Sequence, residues 1–99
     1  MNSYYLTVST GILYSLSENK EYTHDAFLKD NLTLLGSPRE RALFLKEITP
    51  ETWERFMNTG EPARSSVFHD GEGRGFYLSY FRMDADRMLI SWEIGRAHV

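Results

Sequence analysis

The segment His69–Gly75, HDGEGRG, gathers the residue types of this chain that are best suited to chemistry. It offers an imidazole, two carboxylates and a guanidinium, and its glycines alternate as they do in loops that bind phosphate. A phosphate-binding loop, however, leads from a strand into a helix, whose first N–H groups hold the anion. A strand pattern follows this segment. A hairpin loop that begins at Asp70 and Gly71 therefore accounts for the glycines without a ligand.

His69 also supports an enzyme hypothesis, a small metal-dependent hydrolase whose site would be completed by acidic turn residues. Those acids are Asp70, Glu72, Asp84 and Asp86. Consecutive hairpin turns lie at opposite ends of an antiparallel sheet, so the two acidic pairs are expected to be far apart.

Nucleophilic catalysis needs a hydroxyl or thiol beside a base, and the chain contains no cysteine. Ser65 and His69 share one face of a predicted strand, but at that spacing they lie about 13 Å apart, beyond hydrogen-bond reach. We therefore expect no catalytic residue, no metal and no cofactor, and the hydrolase is kept as the second alternative.

The segment Arg74–Phe81, RGFYLSYF, resembles the signature of the RNA-recognition-motif family, in which a basic residue and glycine precede a series of aromatic positions. Arg74, Gly75, Phe76 and Phe81 match that signature, whereas positions 77–79 depart from it. The leucine at position 78 removes a base-stacking aromatic ring. The order of elements also lacks the βαββαβ pattern of that family, so we do not assign the chain to it.

The aromatic residues of this segment nevertheless indicate a binding surface. We expect Tyr77 and Phe81 on the sheet face away from the helices, with Tyr5 near them on another strand. Such rings can anchor a protein partner, be covered by a homodimer mate, or stack on the bases of single-stranded nucleic acid with help from Arg74 and Arg82. The net charge of −3 disfavours attraction to phosphate, so nucleic acid is not the expected partner.

The composition indicates one globular domain. The chain has 99 residues, of which 41% are hydrophobic and 25% charged, which is ordinary for a single folded core. No apolar run approaches the ~20 residues that span a bilayer, and the start MNSYYLTVS carries no basic stretch typical of a signal peptide. A cytoplasmic location without membrane contact is expected.

Alternating apolar and polar residues predict two strands near the start of the chain. Residues Tyr4–Ser9 and Ile12–Leu16 have this pattern, and the turn formers Thr10 and Gly11 separate them. The segment Ser17–Tyr22, SENKEY, is interpreted as a polar connector.

Three short helices are predicted next, each from a hydroxyl at the N-cap position, namely Thr23, Ser37 and Thr49. In the segment SPRE, Ser37 and Glu40 predict a capping box in which each side chain binds the other residue's N–H group. Gly36 is expected to end the first helix at its C′ position. The apolar face of the second helix is predicted to contain Leu43, Phe44 and Ile48.

Strand patterns return at Ser65–His69, Gly75–Met83 and Arg87–Trp92. The predicted order is ββ-ααα-βββ. This order is typical of an α+β fold with a mostly antiparallel sheet and three short helices on one face.

The last seven residues, Glu93–Val99, fit no element. Back-translated as GAG ATC GGA AGA GCA CAC GTC, they resemble the read-through of a widely used sequencing adapter, in which the stop codon TGA follows. We expect residues 1–92 to form the domain and residues 93–99 to be a non-native tail. Resequencing of the source gene tests this, because native codons for EIGRAHV followed by a stop would contradict it.

These observations favour a small interaction module without catalysis. A host protein is its expected partner, and a homodimer is the other protein–protein arrangement considered. By analogy with small proteins of phages and mobile elements, we expect the module to inhibit a host protein, including a defence protein. A single-stranded nucleic-acid binder that uses the sheet aromatics is the first alternative.

Overall fold

The first and last strands of this protein pair at the centre of its sheet. The computed structural model describes residues 2–94, and its six strands form one sheet in the order β3-β2-β1-β6-β5-β4, with antiparallel neighbours throughout. The strands are β1 (Asn2–Thr7), β2 (Ile12–Ser15), β3 (Lys20–Tyr22), β4 (Ala63–His69), β5 (Gly75–Arg82) and β6 (Arg87–Ile94).

Three helices connect one edge of the sheet to the other. They are α1 (His24–Leu32), α2 (Pro38–Glu47) and α3 (Pro50–Thr59), and they follow β3 and precede β4. The predicted α+β fold with its antiparallel sheet is therefore confirmed. No helix within residues 2–94 is long and apolar enough to cross a membrane.

One strand was not predicted. The connector Ser17–Tyr22 contains β3, which pairs with β2 through Leu13 and Tyr22 and forms an edge of the sheet. Its exposed residues Lys20 and Glu21 hide the strand pattern. Charged residues are common on edge strands, where they discourage pairing with other chains.

Each helix begins at the predicted capping hydroxyl, which satisfies one of the free N–H groups of its first turn. The three bonds run to Thr23 from the N–H of Ala26 (3.1 Å), to Ser37 from Glu40 (3.1 Å), and to Thr49 from Thr52 (3.2 Å).

Two local predictions in this region are wrong. The Glu40 side chain does not complete a capping box, because its Oε1 lies 2.7 Å from Nδ1 of His69 on β4. Gly36 does not end α1, which finishes at Leu32 with Thr33 as its C-cap. The N–H of Gly36 instead donates to the carbonyl of His69 at 3.1 Å, which joins the α1–α2 connection to the end of β4.

The core lies between the helices and one face of the sheet. Phe44 of α2 is fully buried among the aromatic rings of α1, β4 and β6. Ile48, just after α2, is also buried, but Leu43 is 48% exposed, so its predicted place on the apolar face of the helix is wrong. The fully buried side chains include Leu6, Leu13, Trp53, Met88 and Ile90.

The segment 93–99 is described only in part. Glu93 and Ile94 continue β6 and pair with Tyr77 and Phe76 of β5. Residues 95–99 lie outside the described part of the chain. The non-native origin of this segment stays a prediction.

Candidate functional site: the open face of the sheet

Because side chains alternate along a strand, the sheet presents a second face opposite the one that packs on the helices. In β1, Tyr4 and Leu6 are buried, whereas Tyr5 between them is 36% exposed. We call this second face the open face. Its strand residues include Ser3, Tyr5, Thr7, Ile12, Tyr14, Glu21, Ala63, Ser65, Val67, Tyr77, Ser79, Phe81, Arg87, Leu89, Ser91 and Glu93.

Large side chains form a continuous row across the open face. Tyr14 of β2 pairs with Tyr5 of β1, Tyr5 pairs with Leu89 of β6, and Leu89 pairs with Phe81 of β5. We call these four residues the tall row. Within the row, Tyr5 is 36% exposed and Phe81 is 43% exposed. A contiguous exposed patch of this kind is typical of an interaction surface rather than of scattered surface apolar residues.

Within residues 2–94, charges occur only at the borders of this face. Among its described residues, Glu21 lies on the edge strand β3, and Arg87 and Glu93 lie towards the two ends of β6. The centre of the open face is therefore apolar or carries hydroxyl groups. Depletion of charge at the centre, with polar groups around it, is the pattern of protein–protein interfaces.

The structure places the predicted aromatic residues Tyr5, Tyr77 and Phe81 together on the open face, but it places Arg82 on the other side of the sheet. Arg82 donates from Nη2 to the carbonyl of Phe56 at 2.8 Å and from Nε to that of Glu61 at 3.2 Å. Its guanidinium also lies 5.4 Å from the ring centre of Phe56. Adjacent residues of a strand point to opposite faces, so Phe81 and Arg82 do not form one site.

Arg74 lies in the β4–β5 loop, where it is bound to acidic neighbours. Its Nε donates to Asp70 Oδ2 at 2.6 Å and lies 3.6 Å from Glu72 Oε2. The hydrogen bond with Asp70, together with the charges of both acids, raises the pKa of Arg74 above its ordinary value. Asp70 also accepts from the N–H groups of residues 72 and 74, at 2.9 and 2.8 Å, so these residues organise the loop.

The acidic residues of the β5–β6 loop have comparable structural roles. Asp84 accepts from the N–H groups of Asp86 and Arg87, at 3.0 and 2.9 Å, and from Nε of Arg87 at 2.8 Å. Asp86 accepts from the N–H and hydroxyl of Ser9, which connects this loop to the β1–β2 turn. The loop follows β5, whereas the loop of Asp70 precedes it, so the two acidic pairs lie at opposite ends of that strand.

Replacement of Asp84 by asparagine is expected to make the free energy of unfolding depend less on pH in the acid range. Hydrogen bonds, first from the N–H of Asp86 and then from the side chain of Arg87, lower the pKa of Asp84 below its ordinary value of 3.8. The ionised group therefore stabilises the fold above that value, and this stabilisation is lost as pH falls through the lower folded-state pKa. Urea unfolding of both proteins between about pH 5 and pH 2 tests this. Parallel stability curves would contradict it.

His69, the centre of the hydrolase hypothesis, is bound to a helix. Its Nδ1 faces Glu40 of α2, and its carbonyl accepts from Gly36. Among residues 2–94, no group of three or more histidine, aspartate or glutamate side chains is arranged to hold a metal ion. The hydrolase stays a prediction, which metal analysis of the purified protein tests.

A hollow of about 730 Å³ lies beside the β4–β5 loop. Its lining includes Phe76 and Trp92, whose rings stack with centres 5.1 Å apart, and the loop residues Asp70, Glu72 and Arg74. The charged groups of these three loop residues bind one another. Because these side chains are already paired, the hollow is less suited than the open face to bind a partner.

Sequence reasoning missed Tyr14, Leu89 and Val67 as residues of the binding surface. Each occupies an alternate position in a predicted strand, so its side of the strand could have been inferred. Their assembly with Tyr5 and Phe81 depends on the pairing of strands that are distant in the chain. The alternation in one strand does not specify that pairing.

Comparisons of this chain with protein-family models, with curated proteins and with solved structures found no match.

Proposed function

We propose that this chain is a non-catalytic protein-interaction module that docks a protein partner through the open face. The observation that carries this proposal is the tall row of Tyr14, Tyr5, Leu89 and Phe81, which crosses four strands without a charged residue. Aromatic side chains contribute large contact area at low entropic cost and are enriched in protein interfaces. The pairing of the four strands fixes the relative positions of these side chains.

The charges near the aromatic residues favour a protein over nucleic acid. Binding of single strands combines aromatic stacking with cations that follow the phosphate backbone. Of the two arginines expected to supply those cations, Arg74 is paired with Asp70 and Glu72, and Arg82 lies on the helix side. Arg87, at the border of the open face, pairs with Asp84 at 2.8 Å.

A narrower proposal concerns the partner. We propose a host protein in the cytoplasm, which the chain would inhibit as an accessory protein of a phage or mobile element. The support for this step is analogy with other small interaction proteins, including inhibitors of defence proteins. Its test is whether the purified chain lowers the activity of the protein that it captures.

Phe81→Asp is expected to reduce capture of the partner by about tenfold or more, because it places a charge within an apolar interface. The experiment compares immobilised wild-type and variant chains in host lysate, with quantitative mass spectrometry of the retained proteins. Leu45→Asp is the matched control, since Leu45 is 42% exposed on α2 and Phe81 is 43% exposed. Circular dichroism and thermal melts confirm that both variants are folded.

A protein retained by the wild type and by Leu45→Asp, but lost from Phe81→Asp, supports docking through the open face. Equal retention by all three chains would contradict it. Titration with labelled single-stranded oligonucleotides addresses the nucleic-acid alternative. Binding that weakens with salt and is lost in Phe81→Asp would favour that alternative over the proposed function.

A further inference from the structure

The open face has a row of large side chains beside a row of small ones. A row of four serines lies next to the tall row. On each strand the serine is two residues, about 7 Å, from the position level with the tall row. Ser3 of β1 pairs with Ser91 of β6, Ser91 pairs with Ser79 of β5, and Ser79 pairs with Ser65 of β4. The hydroxyls of Ser65 and Ser79 lie 3.1 Å apart. We call this the serine row, and its short side chains form a groove beside the tall row.

We infer that a second copy of this chain covers the open face, with the tall row of each copy seated in the serine row of the other. This inference rests on the proposed function, because it treats the same face as a protein-docking surface. A host protein that docks there would have to displace the second copy. A rotation of 180° about an axis between the two rows, running across the strands, places each tall row over its partner's groove. A two-fold interface of this kind requires that one surface complement itself.

The two rows share three strands, β1, β6 and β5, so the match extends over the centre of the face. On β6, Leu89 lies opposite the partner's Ser91, and on β5, Phe81 lies opposite the partner's Ser79. The serine hydroxyls can bond to one another, as those of Ser65 and Ser79 do, and need not lose all polar contacts when covered. Two sheets packed in this way form a sandwich, in which large and small side chains interdigitate.

The size of the face agrees with this arrangement. The six strands are spaced by about 4.8 Å and are about 20 Å long on average, so the open face has an area of roughly 600 Å² per copy. Two copies would bury roughly 1,200 Å² in total, which is where the range of stable specific interfaces begins. The borders carry the charges, and the surface that would be buried is apolar or carries hydroxyl groups.

Sedimentation equilibrium of the purified chain over a wide concentration range tests the inference. We expect a monomer–dimer equilibrium in the wild type. Ser91→Tyr should weaken dimerisation by about tenfold or more, because a large ring fills the groove at the centre of the serine row. Tyrosine is among the residues that favour strands, so this variant should remain folded. Leu89→Arg should have the same effect, whereas Leu45→Arg on α2 should leave the dimer unchanged.

The outcomes separate this inference from the proposed function. A monomer at all concentrations, or a dimer that tolerates both Ser91→Tyr and Leu89→Arg, would overturn the inference. If Phe81→Asp still abolished capture of another protein, the proposed function would then stand alone. A dimer that is lost in both open-face variants supports the inference, even where no other protein is captured and the proposed docking of a host protein fails.

Discussion

Replacement of Phe44 by alanine is expected to lower the free energy of unfolding by about 3–5 kcal/mol. The ring is fully buried and joins four elements of the fold. Its centre lies 6.3 Å from that of Phe27, 5.4 Å from Phe68 and 5.4 Å from Trp92. Removal of the ring loses its transfer free energy and also leaves a cavity, because neighbours that pack on α1, β4 and β6 cannot all move into the space.

The size of this loss matters because a domain of this length is stable by only about 5–15 kcal/mol in total. Urea unfolding, monitored by tryptophan fluorescence, measures the change. Leu43→Ala is the control, since Leu43 precedes Phe44 in the same helix but is 48% exposed. We expect the control to lose less than about 1 kcal/mol, in the range of surface substitutions. Equal losses of unfolding free energy in the two variants would contradict the burial of Phe44 and the exposure of Leu43.

Replacement of Gly36 by alanine is expected to cost about 3 kcal/mol, at the upper end of the range for overpacking. A Cβ atom at this position would lie 2.5 Å from the carbonyl oxygen of Asp70 and 2.6 Å from the N atom of Gly71. Both are backbone atoms, so no side chain can rotate away to relieve the clash. The α1–α2 connection would have to separate from the end of β4, which would strain the bond from Gly36 N–H to His69.

Gly71→Ala provides the matched control for this prediction. Gly71 lies on the other side of the same close approach, yet a Cβ atom there would meet no heavy atom within 4 Å. We expect its free energy of unfolding to change by no more than about 0.5 kcal/mol. Thermal and urea unfolding of both variants measure the difference. A Gly36→Ala protein as stable as Gly71→Ala would show that the two segments do not approach as described.

Local signals in the sequence predicted most elements of the fold. The starts of the three helices were predicted from Thr23, Ser37 and Thr49. This was possible because a capping hydroxyl accepts from an N–H group only two or three positions further along the chain. The alternation in Gly75–Arg82 likewise assigned each residue of β5 to one face. Such signals need no knowledge of the rest of the chain. They were therefore sufficient for the fold class.

Predictions failed where a partner distant in the chain decided the outcome. Glu40 was expected to bind within its own helix turn, but His69 offered a partner from β4. Arg82 was grouped with Phe81 because the two are adjacent in sequence, yet the arginine packs on α3. Lys20 and Glu21 gave no strand pattern, and only the free edge of β2 made them a strand.

The sequence by itself determined the helices, most strands, the single domain and the presence of aromatic residues able to reach a surface. The tertiary structure alone decided that Tyr14, Tyr5, Leu89 and Phe81 form one row and that four serines form the next. The physical reason is the strand register. Alternation within a strand assigns a side chain to a face, but the pairing of β1 with β6, 80 to 90 positions away, decides its neighbours on that face.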